Sequence, residues 1–130
     1  MSLATRISAL AIRVGLEVKS KITASHPGVA RAWVCFGYVG TQVIVRASHN
    51  VVSVTRSAAG RYRVTFAAAM QDTNYCWTAL ARSSVNTGQQ RVAIVRASSD
   101  LKTAQYVDIS CATVAASFDD SSEINLVVYR

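Results

Sequence analysis

The hydrophobic period of this chain changes once, and that change sets the order of its parts. Leu3, Ile7, Leu10 and Val14 recur at steps of four, three and four residues, the spacing of one apolar seam on an α-helix. From Ala32 onward the period becomes two instead, clearest where Arg61, Arg63 and Thr65 alternate with Tyr62, Val64 and Phe66, the period of a strand with one buried face. His26-Pro27-Gly28 separates the two patterns. The residue before a proline avoids the helical region, so the helix must end ahead of it. The expected architecture is mainly β: a helix within residues 1–25, then an antiparallel β-sandwich, jelly-roll-like, over residues 30–130.

The helix is expected over residues 3–22, with Ser2 as its cap. Glu17 falls on the next seam position, so the regular seam ends at Val14, while Ile12, Leu16 and Val18 widen the apolar surface. Gly15 costs roughly 1 kcal/mol of helix propensity. Two heptads are too short to be stable alone. Such a helix needs either its own β-domain or sister helices, and Leu3, Ile7, Leu10 and Val14 are the candidate oligomerisation and attachment residues.

Eight strands are expected, at 31–37, 42–48, 51–56, 61–68, 74–82, 91–97, 105–113 and 123–129. Tyr62, Val64 and Phe66 point one way and Arg61, Arg63 and Thr65 the other, with Val52 and Val54 facing the first set across a hairpin. Gly60 supplies the left-handed residue that closes the turn Ser57-Ala58-Ala59-Gly60. Trp33, Tyr62, Phe66 and Trp77 are expected in the core. Residues 83–90 and 115–122 read as polar loops.

Composition narrows the partners. Apolar residues make up 51% of the 130-residue chain and charged residues 16%, a low charge density that favours covering by other subunits. The formal charge of +7 is uneven, because residues 1–66 hold nine Lys/Arg against Glu17 alone. These cations are spread singly, whereas nucleic-acid binding needs a contiguous patch and is disfavoured. Arg46, Arg61 and Arg63 are instead candidate surface contacts for an acidic protein or an anionic cell-surface glycan. No apolar segment reaches membrane-spanning length, so membrane insertion is not expected, and Arg6 and Arg13 interrupt the first apolar run against a signal-peptide reading.

Nothing in the sequence assembles a catalytic, cofactor or metal site, and an enzyme is not expected. Cys35, Cys76 and Cys111 lack metal-ligand spacing and read as small hydrophobes on strands, with no pairing deducible. His26 lies in the linker, and His49 reads as a stacking or hydrogen-bonded structural residue rather than a catalytic one. Asp119, Asp120 and Glu123 form the one acidic cluster, read as a solvated turn rather than a glycosidase pair or calcium loop. The serine pairs have no nucleophile-elbow context.

Four segments carry a family likeness: Trp33-Val34-x-Phe36; Ser48-x-Asn50-Val51-x-Ser53-Val54; Gly60-x-Tyr62-x-Val64-x-Phe66; and Asn74-Tyr75. Together they resemble a small β-domain found in structural proteins of tailed bacteriophages, often in tail fibres or other appendages. The likeness covers about a third of the chain strongly. It departs at His49, where the family more usually carries Tyr or Phe, and Cys35 and Cys76 are not typical of it. The resemblance implies a virion protein assembled in the reducing cytoplasm of a bacterial host, which favours free thiols. It further implies a homotrimer whose helix attaches to other virion proteins while the β-domain faces the host surface and its glycans. A capsid decoration protein that cements the head is the alternative.

Overall fold

The computed structural model describes residues 1–23, 25–83 and 89–130. It is an eight-stranded antiparallel β-sandwich preceded by one helix, as the change of period requires. The helix, α1, spans Leu3–Lys21. The Ser2 side chain accepts from the Thr5 backbone N–H, satisfying one of the donors that a helix start leaves free. Lys19 and Lys21 occupy the last turn, where cations oppose the negative end of the helix dipole.

The strands are β1 (Ala30–Val39), β2 (Gln42–His49), β3 (Val51–Ala58), β4 (Arg61–Phe66), β5 (Cys76–Ala81), β6 (Arg91–Ile94), β7 (Tyr106–Thr113) and β8 (Ile124–Tyr129). The first sheet runs β2-β1-β8-β5 and the second β3-β4-β7-β6. Asn50, in the left-handed region at φ 52°, carries the chain from one sheet to the other. Its side chain donates to the Arg31 and Ala68 carbonyls and accepts from the Ala68 N–H. Gly60 closes the β3–β4 hairpin at φ 64°. A Cβ there would overlap the Cys111 carbonyl oxygen and stand 2.7 Å from the Asp119 backbone, so the position is restricted by space as well as by φ.

Ala32, Val34 and Phe36 from the first sheet meet Tyr62, Val64 and Phe66 from the second, with Val107, Ile109, Cys111, Ile124, Leu126 and Val128 completing the core. Phe36 meets Tyr62 edge-on at 5.1 Å between ring centroids, and Phe66 meets Tyr75 at 5.8 Å, the geometry that aromatic quadrupoles favour. Trp33 departs from expectation: it lies on the outer face of the first sheet at 38% exposure. Val34 and Phe36 take the inward positions of β1, and alternation leaves Trp33 and Cys35 facing outward. Trp77 packs against the core but is only partly buried. Val54 pairs with Val64 across the hairpin as expected, whereas Val52 is exposed.

Strand β6 stops at Ile94, short of the expected residue 97, because the chain then folds over the outer face of β7. Asp108 N–H donates to the Leu101 carbonyl and Leu101 N–H to the Asp108 carboxylate, while Lys102 bridges to Val107. Strand β7 is therefore buried on both faces, including Asp108, Ser110 and Thr113. The cysteines are free: Cys111 is in the core, Cys35 is half-buried and Cys76 is exposed. Only Cys111 is the fully buried hydrophobe expected of all three; Cys35 and Cys76 belong to the outward set of their strands.

Candidate functional site

Two surfaces stand out: the helix and an arginine-rich outer layer on the second sheet. No residue of α1 is buried. Leu3, Ile7, Leu10 and Val14 are each more than half exposed, and so are Ile12, Leu16 and Val18. The helix therefore does not fold back onto its own sandwich. Its apolar surface is uncovered in the single chain, which is the condition that sister helices or another protein would relieve.

The acidic residues divide sharply. All six beyond Glu17 are tied to arginines: Arg56–Asp120, Arg63–Asp108, Arg82–Glu123, Arg91–Asp119, Arg96–Asp100 and Arg130–Asp72. The other eight cations are outside ion pairs among the described residues and, against Glu17 alone, account for the formal charge of +7. Four of them, Arg6, Arg13, Lys19 and Lys21, lie on α1. Arg31, Arg46, Arg61 and Lys102 belong to the sandwich.

Asp120 does not belong to the solvated turn that the sequence suggests, whereas Asp119, paired with Arg91, keeps its side chain half exposed. Asp120 accepts a two-pronged bond from Arg56, at 2.9 and 2.7 Å, and further bonds from the Gly60 N–H and the Tyr62 hydroxyl. Burial alone would raise its pKa, but the donated bonds outweigh it and hold the carboxyl at about 2. Burial and the same hydrogen bond push the Tyr62 hydroxyl far above its ordinary value. The next loop serine, Ser121, is fully buried and donates to the Arg82 carbonyl. This segment anchors the two sheets to each other, so only residues 115–117 of the expected 115–122 loop remain well exposed. Of the other expected loop, 83–90, residues 84–88 lie outside the described residues.

No protein-family model, curated protein or solved structure matches this chain.

The three candidate contact arginines separate. Arg46 stands on β2 of the first sheet and donates to the Ser122 carbonyl at 2.7 Å. Arg61 and Arg63 come together on the outer face of β4 in the second sheet. Arg63 is spoken for: it grips Asp108 at 2.7 and 2.9 Å and stacks on Tyr106. Arg61 stacks on Phe118 at 4.6 Å to the ring centroid and has no acidic partner. Its Nε is buried without a hydrogen bond. A cleft of about 280 Å³ opens beside it, lined by Thr55, Ser57, Arg63, Arg96, Ser99 and Asp100 among others. Reasoning from sequence reached Arg61 but not Arg96, Ser99 or Asp100, because no local spacing ties the 96–100 segment to β4.

A second cleft, of about 600 Å³, lies at the end of the sandwich where α1 joins it, between Arg31, His49, Asn50, Met70 and Arg130. His49 accordingly borders a cleft, with no acid or nucleophile described as its partner. Among the described residues, no group of three or more His, Cys, Asp or Glu is placed to hold a metal ion, and no helix is long and apolar enough to cross a membrane.

Proposed function

We propose that this chain is a structural subunit of a bacteriophage virion, a trimeric tail-fibre or spike component. The helix α1 attaches it, through Leu3, Ile7, Leu10 and Val14, to sister copies and to neighbouring virion proteins. The β-sandwich then projects toward the host surface. The observation that carries the reading is a 19-residue helix with no buried residue beside a sandwich whose core closes without it. An amphipathic helix of that length gains stability by burying its stripe against something outside the chain. The phage-like Trp-Val-x-Phe, Asn-Val-x-Ser-Val and Gly-x-Tyr-x-Val-x-Phe segments support the same reading. They supply the centre of the fold: Phe36, Tyr62, Val64 and Phe66 are all core residues.

One observation favours capsid decoration instead. Four unpaired cations sit on α1 against Glu17, a charge that suits seating on an acidic lattice. Labelling the particle with an antibody to the sandwich and imaging it separates the two. Label on the tail supports the fibre, label over the head faces supports decoration, and absence of the protein from purified particles overturns both. A chain beginning at Gly28 tests the anchor: it should fold and stay off the particle, and its incorporation would refute attachment through α1.

A further inference from the structure

We infer that the cleft on the outer face of the second sheet binds the carboxylate group of an acidic sugar, with Arg61 as the anion-binding residue. The inference rests on the host-contact reading for its natural source of ligand but not for its chemistry.

The argument begins with satisfied and unsatisfied charge. Two carboxylates line the cleft, and both are saturated. Asp100, whose side chain is 3% exposed, accepts from the Arg96 N–H, from the Arg96 guanidinium and from the Ser110 hydroxyl. Asp108, whose side chain is 11% exposed, accepts two bonds from Arg63 and one from the Leu101 N–H. A carboxylate offers about four lone-pair sites, so Asp100 and Asp108 have little left for a ligand. Arg63 and Arg96 are likewise spent. The unspent group is Arg61, which alone among the sandwich arginines has no oxygen acceptor among the described residues. Its place in the cleft therefore leaves a net positive site whose guanidinium fork has no acceptor among the described residues.

The surroundings fix this fork rather than leaving it to swing. Phe118 carries Arg61 on its ring and Arg96 at 5.3 Å. Arg61 also lies on β4 opposite Ser110 of the doubly buried β7, a rigid base. A donor held in place before binding loses less entropy when it meets its acceptor.

The lining selects the rest of the ligand. Around Arg61 stand the hydroxyls of Thr55, Ser57 and Ser99, with no aliphatic side chain among the cleft residues. Such a wall suits a polyhydroxylated anion and offers nothing to an apolar one. The volume of about 280 Å³ lies just under the range of drug-sized sites and admits one sugar unit rather than a chain. A sugar acid supplies both features, a carboxylate for Arg61 and ring hydroxyls for the rim.

The test is a nitrogen-15 NMR titration of the purified full chain with sodium glucuronate, following the Arg61 Nε resonance and the backbone amides of Ser57 and Ser99. Glucose and sodium sulfate are the comparison ligands. Saturable shifts with glucuronate are expected, none with glucose, and an affinity for sulfate lower by about tenfold, since it fills the fork but not the rim. Arg61→Gln should weaken glucuronate binding by at least about tenfold. Ser57 is exposed, so Ser57→Asp tests the same point without touching the Phe118 stack; it places a competing anion beside Arg61 and should abolish binding with the other amides unmoved. Absence of saturable shifts, an equal response to glucose, or full affinity in either variant overturns the site. Sulfate binding as tight as glucuronate overturns the sugar assignment. The particle labelling described above is independent of this titration, so either result can fail alone.

Discussion

Replacing Asp120 with asparagine removes a charge and almost no volume, which makes it the sharpest probe of how the sandwich is tied together. The carboxylate holds Arg56, the Gly60 N–H and the Tyr62 hydroxyl at once. Its side chain is 18% exposed, so solvent replaces little of what is lost. Holding the group at about 2 instead of 3.8 corresponds to about 2 kcal/mol favouring the folded, ionised form. Asp120→Asn should therefore lower stability at pH 7 by about 2 kcal/mol, or roughly 7 °C in Tm for a chain of this size. The effect has a definite pH window. The folded state binds the Asp120 proton more weakly than the unfolded state does, so this stabilisation is complete above about pH 4 and disappears as pH falls through about 2. Thermal unfolding followed by circular dichroism, at one chain concentration and from pH 7 to pH 2, reads both effects; fixing concentration matters because an oligomer's Tm depends on it. Asp72 and Asp100 are also held below their ordinary values, so both proteins lose stability in acid. The difference between them isolates Asp120 and should close below pH 3. A gap under about 0.5 kcal/mol at pH 7, or one that persists unchanged at pH 2, would refute the assignment of Asp120 as the charged tie.

Other outcomes follow from the same geometry. Phe66→Ala, at a side chain 5% exposed and packed on Tyr75, should cost about 3–4 kcal/mol in denaturant unfolding; a normally melting variant would reverse the assigned face of β4. Gly60→Ala meets both the positive φ and the backbone of Cys111 and Asp119, and should destabilise by more than about 1 kcal/mol in the same assay. With a thiol reagent at pH 8, Cys76 should react readily and Cys111 not at all until unfolding, since burial raises the Cys111 thiol to about 11. Light scattering should give three chains per particle for the whole protein and one for the chain beginning at Gly28; a monomeric full chain at micromolar concentration would remove the support for α1 as an oligomerisation helix.

The helix and all eight strands were legible because each announces itself over short range. Ser2 and the steps from Leu3 to Val14 define α1, and strict alternation at Tyr62, Val64 and Phe66 defines both β4 and its buried face. The face of β1 was not legible for the same reason that its strand character was: Trp33, Val34, Cys35 and Phe36 are all apolar, so period two marks no side. Packing of Val34 and Phe36 into the core decides it. The end of β6 was hidden because a long-range event, the return of residues 95–104 over β7, overrides the local pattern. The candidate cleft was only partly readable. Arg61 stood out in an alternating strand, but the 96–100 segment that completes the cleft, and the acid that neutralises Arg63, are distant from it in sequence. Asp108 is 45 residues from Arg63, and Asp120 is 64 from Arg56, separations at which spacing carries no information.

The position of β1 determines how the domain bears load. The strand that follows α1 is not an edge: β1 lies between β2 and β8, paired with β8 over Ala30–Phe36 and with β2 over Trp33–Val39. A pull on the helix enters β1 end-on, across ladders whose hydrogen bonds run perpendicular to the strand. Both ladders are then strained in shear, many bonds at a time, instead of opening one bond after another like a peeled edge. Asn50 adds a stitch at the point of entry, bonding the Arg31 carbonyl of β1 to the crossover and to the Ala68 backbone beyond β4. Tension from the helix thus reaches both sheets at once. Pulled through its helix against a load at the opposite end, a domain wired in this way should yield only as a unit, because forced unfolding is limited by the unfolding rate.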